Sequence, residues 1–302
     1  MRGRATLLVA AALVGVAACS DTRSNDAAAE VGGASISRER YEDLMRELAA
    51  NPEVFGIQED FETGTIAADV GRNVLSALVS NVASADLLET RGVTIAEADR
   101  QAIIEGFGPQ AEGAPPNVLE LEVDRVASGQ AIGRLTGESG EAQAAYEAAP
   151  ADVGVICVRH ILLDTEEEAT EVVAELDAGA DFSELAAERS TDPSAAANGG
   201  AIEASPEQPC IALEQAQGSL DPVFTAAAIE AVPGTPIGPV QTSFGWHVIL
   251  ARPYEEVAAA VDPIVGQRLL DEHLADVDVQ IDPRYGRWDA ATGAVVALDA
   301  PA

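Results

Sequence analysis

Apolar residues recur along this chain at helical spacing in two separated stretches and at strand spacing in a block between them. From Glu30 to Pro150 the spacing is helical. Tyr41, Leu44, Met45 and Leu48 fall at i, i+3, i+4 and i+7, one face of a helix that follows Val31-Gly32-Gly33-Ala34-Ser35-Ile36-Ser37. Val70, Val74, Leu78, Val82 and Ala85 predict a longer helix ending near Gly92. Thr94-Ile95-Ala96-Glu97 has the form of a capping box opening a third helix through Ile103 and Ile104. After the Ala114-Pro115-Pro116 break, Asn117 is the expected cap of a fourth helix carrying Val118, Leu121 and Leu135. Gly137 to Asp152 is a polar, Gly- and Ala-rich boundary around a short helix at Tyr146.

The pattern then changes. Val155 to Leu163 is one apolar run interrupted by Arg159 and His160, as expected of a strand covered on both faces. A period of two puts Ile156, Val158, His160 and Leu162 on one face and Val155, Cys157, Arg159 and Ile161 on the other. His160 therefore points away from Cys157, which argues against a Cys-His nucleophilic pair. A second strand, Trp246 to Leu250, carries His247. Two neutral imidazoles and a hydroxyl can form a fixed hydrogen-bond chain, since each ring donates from one nitrogen and accepts at the other, and Thr242 is placed to supply the hydroxyl. Helical spacing returns from Val257 to Val277 through Val261, Val265, Leu269, Leu270 and Leu274, with His273 on the surface. The tail to Leu298 holds two short apolar runs about Pro283-Arg284-Tyr285-Gly286-Arg287-Trp288, a terminal strand pair whose aromatic residues serve packing.

Within the central block, Arg159-His160-Ile161-Leu162-Leu163, Gly179-Ala180-Asp181-Phe182-Ser183-Glu184-Leu185-Ala186, Ser190-Thr191-Asp192-Pro193, Gly199-Gly200 and Thr242-Ser243-Phe244-Gly245-Trp246-His247 follow one another in fixed order. In residue type, order and spacing this third of the chain resembles the parvulin family of peptidyl-prolyl cis-trans isomerases. The resemblance implies a small antiparallel sheet flanked by helices, a site built from His160, Asp192, Thr242 and His247, and a proline pocket lined by Leu220, Phe224 and Phe244. It implies neither a cofactor nor a metal, because X-Pro isomerisation needs only preferential binding of a twisted amide. Where many parvulins read Gly-Gly-Asp-Leu-Gly, this chain reads Gly199-Gly200-Ala201-Ile202-Glu203, so the turn leading into the groove is expected to be reshaped if the missing glycine carried positive φ. The loop Asp164-Thr165-Glu166-Glu167-Glu168 is acidic where phosphopeptide-directed parvulins are basic, so a phosphorylated ligand would be repelled.

The N-terminus sets the expected compartment. Arg2 and Arg4 precede an apolar stretch from Ala5 to Ala18, shorter than the roughly 20 residues that span a bilayer and suited to a signal-peptide core. It ends Val16-Ala17-Ala18-Cys19, which looks like the lipobox of bacterial lipoproteins, with Cys19 lipidated; ordinary secretory cleavage after Ala18 is the alternative. Ser20 to Glu30 then reads as a tether. Cys157 and Cys210 remain, a candidate disulfide in an oxidising compartment or else two separate buried thiols. Cleavage would remove Arg2 and Arg4 and take the formal charge from −34 to −36, which argues against nucleic acid and against electrostatic adsorption to anionic lipid. With 47% hydrophobic but only 4% aromatic residues, the chain can build two modest domains with aliphatic cores.

The layout resembles the SurA/PrsA-type extracytoplasmic chaperone-foldases, an α+β architecture with the parvulin block inserted into a helical lobe. The expected divisions are a signal peptide at 1–18, a lipidated Cys and tether at 19–29, a helical region at 30–152, a parvulin-like domain at 153–255 and a C-terminal helix and tail at 256–302 that return to the helical lobe. The function implied is prolyl isomerisation with chaperone action on exported, partly folded polypeptides, at the outer face of the cell membrane. The rival is a parvulin-fold holdase or assembly factor without useful turnover. A metal-binding lipoprotein is a third reading, disfavoured because only His160, His247 and Asp192 are plausible ligands and no short-spaced ligand motif is present.

Overall fold

The computed structural model describes residues 26–51, 67–203, 205 and 208–299. The signal-peptide segment, Cys19 and most of the expected tether lie outside those residues. The last part of that tether is a correction. Ala27–Val31 is a strand, β1, paired antiparallel with β2, Ala34–Ser37, across a Gly32-Gly33 turn in which both glycines have positive φ. Alanine side chains are small enough to be buried there; Ala28 and Ala29 are enclosed in the core, which is why a segment that looks like polar spacer joins a sheet.

The first helical group follows. Helix α1, Arg38–Ala50, is capped by Ser37, whose hydroxyl accepts from the Arg40 N–H; α2 is Ala68–Thr90. Helix α3, Glu97–Phe107, starts after Ala96 with no side-chain cap. The Thr94 box is therefore not used, because Ile95 is drawn against the apolar core as an extended lead-in rather than as the first helical residue. Short α4, Pro109–Gly113, leads to α5, Pro116–Glu138, and α6, Glu141–Ala148. Asn117 does not cap α5. Pro116 opens it, as suits a first-turn position lacking a donor, and the carboxylate of Glu47 on α1 accepts from the backbone N–H of Asn117 (2.9 Å) and Val118 (3.2 Å) and from the Asn117 side chain (2.7 Å). A carboxylate from 70 residues away thus does what the local sequence was expected to do.

The expected single strand Val155 to Leu163 is two. Strand β3, Val155–Ile156, and β4, Val158–Leu163, part at Cys157, which is disulfide-bonded to Cys210 and whose carbonyl accepts from the Arg252 N–H. The bridge closes a loop with a sequence separation of 53, a constraint worth about 4 kcal/mol by chain entropy. The acidic loop contains the start of α7, Glu166–Asp177, with a capping box between Thr165 and Glu168, and three glutamates in its first turn complement the helix dipole. Then come α8, Phe182–Arg189, α9, Ala195–Asn198, β5, Ala201–Ile202, β6, Ile211–Ala212, α10, Leu213–Ser219, α11, Pro222–Glu230, β7, Pro236–Thr242, and β8, Gly245–Ala251. Strand β3 pairs with β6; the main sheet has the order β5-β4-β8-β7 and is antiparallel throughout. Alternation along β4 is real. Ile161 and Leu163 pack with Val172, Phe182 and Val248, whereas Ile156 and Val158 pack with Phe224 and Ile249 on the other face.

Helix α12, Tyr254–Asp276, joins the two halves. Its first half, Val257, Val261 and Val265, packs with Tyr146 and Cys157; its second half, Leu270 and Leu274, enters the core beneath α2. Gly266 makes the crossing with α5 possible, since a Cβ there would lie 3.1 Å from the Gly133 backbone nitrogen. His273 Nε2–H donates to the Asp86 carboxylate on α2 at 2.8 Å. Strand β9, Val279–Ile281, adds to the free edge of β1, and the tail closes with the pair β10, Arg287–Asp289, and β11, Ala294–Val296. Tyr285 packs against Tyr41 with ring centroids 4.7 Å apart and planes tilted by 58°, so the aromatic tail caps the lobe. No helix among the described residues is long and apolar enough to cross a membrane.

Candidate functional site

Strand register places the polar side chains. Leu162 opposes His247 across β4 and β8, and Val240 opposes His247 across β7 and β8. His160 and Thr242 are thereby diagonal neighbours of His247 on one sheet face, within reach for rings and hydroxyls. The imidazole Nδ1 atoms of His160 and His247 are 3.2 Å apart, and the rings lie 19° from parallel. His247 Nε2 is 2.9 Å from the Thr242 hydroxyl, and His160 Nε2 is 3.0 Å from Asp192 Oδ2. Phe224 from α11 meets both rings edge-on, with centroids 5.6 Å from His160 and 5.1 Å from His247. Both histidines are buried.

One proton arrangement satisfies every contact. The Phe244 N–H donates to Thr242 Oγ, whose hydroxyl donates to His247 Nε2; His247 Nδ1–H donates to His160 Nδ1; His160 Nε2–H donates to the Asp192 carboxylate. It requires two neutral rings and an ionised acid. Burial pushes His160 below the ordinary histidine value against the pull of Asp192. Burial, then the neighbouring His160, push His247 down to about 4, against the weaker pull of Asp221 and Asp192. For Asp192 burial acts upward, but the Ser194 hydroxyl and N–H and the His160 contact together hold it below the usual carboxylate range. Asp192 is itself fixed to β4: Ser190 Oγ accepts from the Leu162 and Asp192 N–H groups, and the Thr191 N–H donates to the Leu162 carbonyl.

The altered turn is closed by the two glycines that remain. Gly200 has φ +77°, its carbonyl accepts the His160 N–H at 2.8 Å, and a Cβ on it would lie 2.2 Å from the His160 carbonyl oxygen. Any side chain at 200 would displace the strand that carries the histidine. Ala201 and Ile202 continue as β5, and Glu203, without positive φ, turns to Arg252 at 3.5 Å.

Above these groups lies a cleft of about 540 Å³. Leu162, Ile202, Leu220 and Phe224 supply its apolar lining, and His160, His247 and Asp192 its polar floor. Phe244 lines the cleft from its outer rim, 71% exposed at the tip of the β7–β8 hairpin. Sequence reasoning missed Leu162, Ile202, Glu203 and Asp221 as lining residues. Asp221 was findable: Asp-Pro ahead of an apolar run is a helix-start signature, and its Oδ1 accepts from the Val223 and Phe224 N–H groups. Cys157 and Cys210 lie away from the cleft, behind β4. Among the described residues no three His, Cys, Asp or Glu side chains are gathered as a metal site.

Residues 160–252 match the family model described as the PPIC-type PPIASE domain, and the chain carries a domain of that parvulin class. A Parvulin-like PPIase of Rickettsia bellii is 33% identical over 135 residues, 42% of this chain and 45% of that protein. A Foldase protein PrsA of Halalkalibacterium halodurans is 32% identical over 179 residues, 55% of this chain and 48% of the relative. The crystal structure of PrsA from Bacillus subtilis superimposes over 82% of this chain and 87% of that one, with 18% identity and a TM-score of 0.29. The chain spans about half the length of the curated relatives it matches.

The proton arrangement has a direct test. A base whose folded-state pKa lies below its unfolded value favours the unfolded chain when protonated, so His247 contributes full stability above about pH 6.5 and loses it as pH falls toward about 4. Ring ¹⁵N resonances of His247 are expected to stay those of a neutral imidazole from pH 8 down to about 5. Titration near the ordinary value of about 6.5 would contradict the buried, ring-to-ring arrangement.

Proposed function

We propose that this protein is an extracytoplasmic prolyl isomerase with chaperone character, acting on exported polypeptides before or while they fold. The observation that carries the reading is the chain of hydrogen bonds from Phe244 through Thr242, His247 and His160 to Asp192, lying beneath an apolar cleft of a size to take a pyrrolidine ring. The family match of residues 160–252 and the relatives named as parvulin-like isomerases and foldases support it.

The proposed chemistry is non-covalent. The planar X-Pro amide faces a rotational barrier of roughly 18–20 kcal/mol because nitrogen conjugates with the carbonyl. Twisting breaks that conjugation and localises a lone pair on nitrogen. An apolar slot formed by Leu220 and Phe224 holds the proline ring while excluding water, which favours the less polar twisted amide over either planar state. His160, His247, Thr242 and Asp192 hold fixed donors and acceptors below the slot, and Phe224 is positioned by contact with both rings. No electron or proton need leave the peptide, so neutral histidines locked by one another suit the task better than titrating ones.

The remaining assignments rest on the sequence. Residues 1–18 are proposed as a signal peptide, Cys19 as the lipidated residue anchoring the protein at the outer face of the cell membrane, and the residues before Ala27 as a short tether. The helical region to 152, with the returning segment 256–302, is proposed as the lobe that holds unfolded client chain, and 153–255 as the isomerase unit.

Two measurements test this. The full chain should accelerate cis/trans exchange in X-Pro peptides, and Asp192→Ala and His247→Ala should each reduce the acceleration by roughly tenfold or more; a folded protein that suppresses client aggregation yet leaves exchange unchanged belongs to the holdase reading. Cys19→Ser should move the protein from the membrane fraction to the soluble one, and a variant that stays in the membrane fraction refutes the anchor.

A further inference from the structure

The cleft is asymmetric in charge. Asp192, Glu203 and Asp221 line it, no arginine among the described residues does, and the chain contains no lysine. Its two histidines are held neutral by burial, as described above. Arg252, which meets the cleft residue Glu203, has a largely covered side chain engaged by Glu203 and by Glu256. Arg159, on the opposite face of β4, is likewise occupied, by Glu256 at 2.6 Å and Ser183. Beyond the hairpin tip the acidic run Asp164 to Glu168 begins directly after Leu163, which opposes Trp246.

A second feature stands on the same rim and is independent of that charge. Phe244 is a large aromatic side chain exposed to 71%. Its neighbour Ser243 donates to Asp221 Oδ2 at 3.2 Å, which joins the hairpin tip to the start of α11, and Phe244 and Asp221 both line the cleft. The Asp221 carboxylate is fixed rather than mobile. The Val223 N–H, opposed in part by desolvation, and then the Phe224 N–H and Ser243 hold it below the usual carboxylate range, so it is ionised throughout the neutral region. An exposed aromatic face next to a fixed carboxylate suits a side chain with an apolar stem and a cationic head. The stem or guanidinium plane lies on the ring and the charge faces the acid.

Resting on the isomerase reading above, we infer that the cleft selects proline segments carrying an arginine or lysine next to the proline, with Phe244 and Asp221 as the specificity-determining pair and Glu203 adding to the field. The argument uses what a bare acidic surface lacks: a formed cleft, an aromatic platform, and a carboxylate whose position is set by backbone donors. Clients with acidic residues before proline would enter the same cleft against three carboxyl groups and bind more weakly.

The test uses the full chain and three fluorescent peptides identical except for Arg, Ala or Glu immediately before one proline. Affinity measured at low ionic strength should be roughly tenfold greater for the Arg peptide than for the Glu peptide, and the difference should shrink severalfold near 1 M salt, where the Debye length is about 3 Å. Asp221→Asn keeps an N-cap side chain on α11, so the helix start is preserved while the charge is lost, and Phe244→Ala removes an exposed ring. Each should bring the Arg-to-Glu ratio to roughly threefold or less. Equal affinity for the three peptides, or a ratio that neither variant changes, overturns the inference. Exchange rates on the same peptides separate it from the reading beneath it: Arg-selective binding without accelerated exchange supports this selectivity and sinks the isomerase, whereas accelerated exchange indifferent to the residue before proline does the reverse.

Discussion

The register between β4 and β8 is the constraint on which the site depends. With Leu162 opposite His247 and His160 opposite Ile249, the two imidazoles are diagonal neighbours on one face. A slip of one residue would turn His247 into the opposite face and bring Val248 or Trp246 into its place. The register is protected from both sides of the sheet. Ile161 and Val248 are fully buried against α7 and α8, Val158 and Ile249 against α11, so slippage would misfit side chains selected for two different packing layers and turn Arg159 and the histidines to the wrong faces. The site has no separate scaffold; it is the polar interruption in a sheet held by aliphatic packing.

Much of this is visible in a local pattern, and the failures share a cause. Strand parity alone put His160 opposite to Cys157, and the resemblance brought His247, Asp192 and Thr242 to it. Helix positions along Tyr41 to Leu48 and Val70 to Ala85 followed from spacing because amphipathic burial decides them. What local pattern missed is what distant residues determine. Glu47 caps α5 from another helix, Ile95 is taken by the core before Thr94 can cap, and Ala27 to Ala29 become strand because β2 and β9 flank them. Cys157 interrupts its strand through a partner 53 residues on. Phe244 lines the cleft as the resemblance implied, but its exposure at the rim depends on where the hairpin tip ends, which neither hydropathy nor motif order contains.

Helix α12 makes the two halves one object. Its aliphatic residues are shared between the core that includes Tyr146 and Cys157 and the core beneath α2, with the Gly133–Gly266 approach between them. The disulfide lies in the first of these cores, one residue before β4, so the strand bearing His160 is anchored where the halves meet. Strand β9 then closes the other end against β1.

Central to the proposed function is that proline binds in the cleft over the two histidines. Mapping amide and methyl chemical-shift changes while an X-Pro peptide is titrated into the full chain tests that most directly. The account predicts changes centred on His160, Leu220, Phe224 and His247, saturating with one affinity. Changes confined to the groove of the helical lobe around Phe107, Val118 and Leu119, with the histidine cleft undisturbed, would contradict it.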